Sequence, residues 1–300
     1  MHKLFCMSLN NYFGRLHMNY LLGLHAEPIT DKIDSRLTGV GMIRSEYLCR
    51  SIEEYFPVKS CCDFVHSYVS NVCDIFSEQE VWYRTAELIV PEVNVLKGAD
   101  RIIDEKHYIL GLRGTRRGVK YQDTFQLELD NISDVAKVKN NLNVLFPYIK
   151  DADELEVCLK LLETVGFPNK YGIMAEIPSA IIGIEDFLSL GISNITIGVN
   201  DLTTLVLGTY RGSGYHNCTH PSVIKLIEYI VNKAKNKNVQ VNVAGNVTSE
   251  LCSICNDLGV DNFIVNYPLL PEILGIPTDK LPYLNQLKEI KALTKMRRGS

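Results

Sequence analysis

The chain has 300 residues, 46% of them apolar, with a formal net charge of −4 and a pI of about 6.0. That length and apolar content suffice for one large core or two small ones. The charge balance excludes a broad basic field that would hold nucleic acid by its phosphates, and no apolar run approaches the ~20 residues of a membrane-spanning helix.

The N-terminus, MHKLFCMSLNNYF, lacks the apolar run and small-residue cleavage site of a secretory signal, so a cytoplasmic protein is expected. Short apolar runs then recur along the chain. KLFCMSL (3–9), TGVGMI (38–43), EVWYRT (80–85), LNVLFPYI (142–149), YGIMAEI (171–177), NITIGV (194–199), VQVNVA (239–244) and NFIVNY (262–267) read as strands. Stretches with helical spacing lie between them, at 45–55, 64–77, 123–140, 152–165, 183–190, 221–236 and 248–258. In SELCSICNDLG (249–259) the apolar residues follow the i, i+3, i+4, i+7 spacing, and Gly259 is placed to end the helix. Strands that alternate with helices pair in parallel, and near-continuous apolar strands are buried on both faces. Eight such units predict a single (β/α)8 TIM barrel over 1–300, with 293–300 as a frayed tail; a doubly wound open sheet is the alternative.

In such a barrel the active site lies at the C-terminal strand ends. Here those ends carry charge. The second strand candidate runs into Arg44, Ser45 and Glu46, and the third into Arg84, Thr85 and Glu87. The loop after the third holds LGLRGTRRG, with Arg113, Arg116 and Arg117. The fifth ends on Glu176, and the sixth on Asn200 and Asp201, with Arg211 in its loop. Planar guanidinium forks suit phosphate and carboxylate oxygens, and two carboxylates with waters and a substrate phosphate commonly hold Mg2+. The expected ligand is a small molecule bearing phosphate and carboxylate, bridged by that metal. Plainer alternatives exist: a helix N-cap at Asn200 and Asp201, a strand-end turn at Glu176, and solvated surface charge at Arg116 and Arg117. Nine scattered cysteines, with one C-S-I-C at 252–255, read as free thiols in a reducing compartment rather than a metal site.

GVGMIRSEYL (39–48), VWYRTAE (81–87), LGLRG (110–114), LFPYI (145–149), GIMAEIPSA (172–180), IGVNDLTTLVLGTYR (197–211) and HPSV (220–223) resemble, in order, the C-terminal barrel of the PEP-utilising enzymes. That family includes phosphoenolpyruvate (PEP) synthase, pyruvate phosphate dikinase and enzyme I of the sugar phosphotransferase system. The resemblance spans about residues 5–275. It implies that Arg44, Arg84 and Arg113 hold the phosphoryl group, that Asn200 and Arg211 hold the phosphate and carboxylate region, and that Glu176 and Asp201 ligate Mg2+. It also implies a homodimer, and phosphoryl transfer between PEP and a histidine on a separate domain.

Two departures stand out. None of the seven histidines lies in a Gly-Gly-x-x-Ser-His segment, so a phosphohistidine or ATP-grasp partner would be encoded separately; His216 and His220 lie near the expected mouth. The family's strand seven ends in Cys-Gly-Glu, whose cysteine protonates the enolate, whereas this chain reads Ala244, Gly245 and Asn246. A methyl group carries no transferable proton; Cys218 is a candidate substitute. Three functions are consistent with these residues: the PEP/pyruvate half of a split phosphotransferase, a repurposed enzyme doing cysteine-independent phosphoryl or enolate carbon–carbon chemistry, and a non-catalytic ligand-binding module.

Overall fold

The computed structural model describes residues 18–99, 107 and 110–285. Eight parallel strands close in chain order: β1 (Asn19–Leu24), β2 (Leu37–Arg44), β3 (Val81–Arg84), β4 (Leu142–Phe146), β5 (Tyr171–Ala175), β6 (Asn194–Gly198), β7 (Gln240–Ala244) and β8 (Asn262–Asn266). Closure is made by β1 against β8, paired from Asn19↔Asn262 to Gly23↔Asn266, which eliminates the open-sheet alternative. Helices α1 (Ser45–Ile52), α2 (Lys59–Ile75), α3 (Val90–Val93), α4 (Gly114–Lys120), α5 (Gln122–Ala136) and α6 (Ala152–Val165) precede β5. Then come α7 (Pro178–Ile182), α8 (Ile184–Ser189), α9 (Val199–Leu207), α10 (Pro221–Ala234), α11 (Ser249–Leu258) and α12 (Leu270–Leu274). None of the helices among the described residues is long and apolar enough to cross a membrane.

Seven of the expected strands are present. The expected first strand, 3–9, lies outside the described residues, and the strand that opens the barrel is NYLLGL at Asn19–Leu24. Its apolar run is short and interrupted by Gly23, which obscured it. That glycine is where β8 comes close: a Cβ there would stand 2.7 Å from Asn266 Oδ1. The expected C-terminal tail, 293–300, also lies outside the described residues.

Each strand has two apolar faces because each has two partners. Outward residues such as Leu22, Ile43, Tyr83, Val144, Ile173, Ile195, Val243 and Phe263 pack beneath the helices in the main core. Inward residues Leu21, Met42, Trp82, Leu145, Met174, Ala244 and Ile264 form a second cluster that fills the barrel axis. Complete burial of a Leu- or Ile-sized side chain contributes about 1.5–3 kcal/mol, so both layers are needed to offset chain entropy. Helix ends follow local chemistry. Thr248 accepts from the Leu251 N–H at 3.2 Å to start α11, and Gly259, with φ of 93°, ends it as the spacing predicts.

A buried carboxyl joins the ends of β2 and β3. Glu128 on α5 accepts through Oε1 from Tyr83 Oη and from the Ala86 N–H, both at 2.8 Å, with Ser45 Oγ 3.5 Å away. Ser45 Oγ also donates to the Arg84 carbonyl at 2.7 Å. Burial pushes the Glu128 carboxyl up to about 7, against the opposing pull of Tyr83 and Ala86. The folded chain therefore holds a proton here that the unfolded chain releases above its ordinary value of 4.5. The associated stabilisation is complete below that value and lost as pH rises through 7. Glu128→Gln keeps the accepting oxygen and removes the titration. In urea melts across a pH series, the stability of the native chain relative to Glu128→Gln should fall by up to about 3 kcal/mol between pH 4.5 and pH 8.

Candidate active site

Side chains alternate along a strand, so the residue two places beyond each inward core residue also points inward, one layer higher. Two residues after Met42, Trp82, Met174 and Ile264 come Arg44, Arg84, Glu176 and Asn266. The apolar cluster is thus the floor of a site, and the next layer is its charged lining. These four residues share one cavity of about 580 Å³ with Arg113, Asn200, Asp201, Arg211 and Ala244. All eight residues expected from the sequence therefore line a single space. Gly198 leaves room for one of them: a Cβ there would overlap the Glu176 carboxylate and stand 2.9 Å from its Cβ.

The charges form a chain of alternating sign. Arg44 contacts Glu46 through Nε and Nη2, each at 3.0 Å from Oε1. The same Oε1 takes Arg84 Nη2 at 2.5 Å, and Arg84 Nη1 reaches Glu87 Oε2 at 2.7 Å. Glu87 Oε1 makes a very short ion pair with Arg113, whose Nη2 also lies 3.0 Å from Asp201 Oδ2. Arg211 closes the series on the same oxygen at 2.8 Å. Glu46, Arg84, Glu87 and Asp201 are buried and Arg113 nearly so, while the Arg211 side chain is 53% exposed. The Nε atoms of Arg84 and Arg113 are buried without a partner among the described residues.

Proton affinities follow from this layout. Burial disfavours ionisation of Glu46, but Arg84, Arg44 and Arg50 together outweigh it and hold the carboxyl down at about 2. Burial likewise opposes the Glu87 charge, and Arg113 with Arg84 bring it to about 2. Glu176 has the opposite fate. Burial, then repulsion from Glu87 and Asp201, raises it to about 8, against Arg84 and Arg113. Its Oε1 accepts the Tyr148 N–H at 2.8 Å. No group of three or more His, Cys, Asp or Glu side chains suited to a metal occurs among the described residues. Glu176 and Asp201 are a hard-oxygen pair whose mutual repulsion a divalent cation would relieve, with water and ligand oxygens completing the shell.

Asn200 and Asp201 are not an N-cap: α9 already begins at Val199, with Gly198 in the cap position, so both lie within its first turn. The Asn200 side chain is oriented by the Asn246 N–H, which donates to Oδ1 at 3.1 Å. Arg117 departs from the expected surface charge. It is buried and donates to Tyr55 Oη at 2.9 Å, because its guanidinium packs against the Tyr55 and Tyr121 rings at 5.2 and 5.6 Å from their centres. Arg116 faces Glu154 at 3.5 Å, part-exposed and outside the cavity lining. His220 caps α10 by accepting from the Ser222 N–H, and His216 Nε2 lies 3.1 Å from the Asn200 carbonyl. Neither histidine, nor Cys218, lines the cavity. Cys252 and Cys255 are buried free thiols on one side of α11.

His25, Tyr47, Arg50 and Asn266 also line the cavity and escaped the sequence pattern. For His25 the missing signal was the position of β1: counting inward from Leu21 in steps of two leads through Gly23 to His25. Glu46 and Glu87 were visible at their strand ends, but their pairing with arginines from neighbouring strands was not.

Residues 23–274 match the profile of the PEP-binding domain of PEP-utilising enzymes. Phosphoenolpyruvate synthase from Pyrococcus furiosus is 29% identical over 247 residues, covering 76% of this chain and 30% of that protein. The phosphoenolpyruvate synthase of Aeropyrum pernix is 29% identical over 279 residues, covering 84% of this chain and 34% of that protein. Phosphoenolpyruvate-protein phosphotransferase from Chlamydia trachomatis is 28% identical over 273 residues, covering 84% of this chain and 41% of that protein. The chain thus spans less than half the length of each of these relatives. Among solved structures, a variant of the citrate synthase SbnG superposes with a TM-score of 0.51 at 12% identity, covering 98% of this chain and all of that one. An HpcH/HpaI aldolase from Desulfitobacterium hafniense gives 0.50 at 10% identity, covering 96% of each chain. These two likenesses concern the barrel alone. The family profile runs from within β1 to α12 and encloses every strand end that supplies the charged cavity, and the chain belongs to the PEP-utilising enzyme family through its PEP-binding domain.

Proposed function

We propose that this barrel binds PEP, pyruvate or a related carboxylate together with Mg2+, and exchanges a phosphoryl group with a phosphohistidine or ATP-binding module lying outside these 300 residues. The observation that carries this reading is one cavity in which Arg44, Arg84, Arg113 and Arg211 converge with Glu176 and Asp201 from the ends of separate strands and their loops. Arg84 is buried, Arg113 nearly so, and both are held by Glu46 and Glu87, so an arriving phosphoryl group meets guanidiniums already in position. Both guanidiniums line the cavity and are fixed by their acid partners. Because Asn246 engages Asn200 Oδ1, the Asn200 amide N–H2 is the end left for a substrate oxygen. Arg211, half in solvent, is suited to reach a carboxylate at the mouth. Glu176 and Asp201 would hold the cation, which when bound supplies positive charge to the phosphoryl and enolate oxygens.

Ala244 favours a variation on this chemistry. It is buried at the end of β7 and lines the cavity where the family's cysteine would stand. The enolate carbon then lacks that proton donor, and a repurposed reaction at the same enolate is the second reading.

Calorimetry should find PEP uptake that depends on Mg2+. Arg113→Gln should weaken it about 10- to 100-fold, and the more exposed Arg211→Gln by less than about tenfold; uptake that ignores both substitutions would refute the site. Holding a cation requires ionised Glu176, so below about pH 8 metal uptake releases a proton. Apparent Mg2+ affinity should rise by up to about tenfold per pH unit toward pH 8, and Glu176→Gln should flatten that slope. In deuterated water the native chain should not exchange the C3 protons of pyruvate, while Ala244→Cys should begin to; exchange in the native chain would mean that another residue already supplies the proton.

A further inference from the structure

Arg50 is a fifth guanidinium in the cavity and stands outside the alternating chain. It lies on α1, six residues after Arg44, with its side chain 5% exposed. Nη2 pairs with Glu92 Oε2 at 2.9 Å, and Nε is buried without a partner among the described residues. Arg50 lines the cavity, whereas Glu92 does not. Arg50 and Arg44 each stand 4.7 Å from the centre of the Tyr47 ring, and His25 meets the same ring edge-on at 4.7 Å. His25 Nε2 lies 3.0 Å from Arg44 Nη1. A guanidinium can only donate, so Nε2 accepts and the ring proton sits on Nδ1, 3.5 Å from the buried Glu27 carboxylate.

The position of this corner matters. Going round the barrel from β7 through β8 and β1 to β2, the cavity meets Ala244, Asn266, His25 and then Arg44 with Arg50. The arc starts at the small residue that replaces the family's cysteine and ends at an additional cation. It also passes Asn266 Oδ1, another buried atom without a partner among the described residues. The volume agrees. At about 30 Å³ per water-sized atom, the roughly ten heavy atoms of PEP fill at most about 300 Å³, against a cavity of about 580 Å³.

We propose that Arg50 and Tyr47, with His25 positioning Arg44 beside them, form a second anion subsite, and that the substrate is an enolpyruvate-type acid carrying a second carboxylate on its carbon chain. The chain would run from the enolate carbon beside Ala244, past Asn266, to Arg50. This deepens the function proposed above and rests on it.

The test is calorimetry with Mg2+ using PEP, pyruvate, oxaloacetate and 2-oxoglutarate. In the native chain at least one dicarboxylate should bind about tenfold or more tightly than pyruvate. The double variant Arg50→Met/Glu92→Leu removes both buried charges, so that neither is stranded. It should bring the dicarboxylate-to-pyruvate affinity ratio down to about one. His25→Gln, which leaves the Arg50–Glu92 pair intact, should lower the same ratio without abolishing it. If PEP binds but no dicarboxylate exceeds pyruvate in the native chain, the second subsite is wrong and the primary site stands. A ratio unchanged in the double variant likewise overturns the subsite. If none of the four acids binds with Mg2+, both proposals fall.

Discussion

The interaction on which the site depends is the alternation Arg44–Glu46–Arg84–Glu87–Arg113–Asp201–Arg211. Burying one guanidinium without a partner is prohibitive, and burying several together is worse. Interleaved carboxylates make the cluster tolerable. They also leave a surplus of one positive charge, and with it an affinity for anions. Each acid is shared by two arginines, so the groups restrain one another and the donors are aimed before a ligand arrives. The geometry is sustained from outside the barrel by Glu128, which ties the ends of β2 and β3 through Tyr83, Ala86 and Ser45.

Glu176 is the exception that gives the cavity its second character. It has no place in the chain of ion pairs, and its neighbours Glu87 and Asp201 raise its proton affinity. A buried carboxyl that resists ionisation beside another carboxylate is a poor surface for anions and a good one for a cation. The same small volume therefore presents both guanidinium groups and carboxylate oxygens. Ala244 lines the same space with a methyl group, and Arg50 lines it while paired with Glu92.

Much of this was legible in the residues. Strand-end charges at Arg44, Arg84, Glu176 and Asp201 stood out because strands avoid them, and the collinear blocks around them pointed to the family later matched by its profile. What escaped had physical causes. The opening strand was misplaced because Gly23, accommodating β8, interrupts its apolar run. His25 was lost with it, since its inward orientation follows only from the register of that strand. Arg117 resembled a surface charge because burial by a short helix leaves no periodic trace.

By itself, the order of amino acids determined the barrel, its two-sided strands and the identity of seven charged or polar cavity residues, because alternation and strand-end chemistry are local properties. Only the closed tertiary structure decided which charges meet. The pairing of Arg113 with both Glu87 and Asp201, the buried position of Arg50 and the company of Glu176 arise from loops and strands far apart in the chain. Coulomb energy depends on distance and burial, and both are set by how the sheet closes rather than by spacing along the polypeptide.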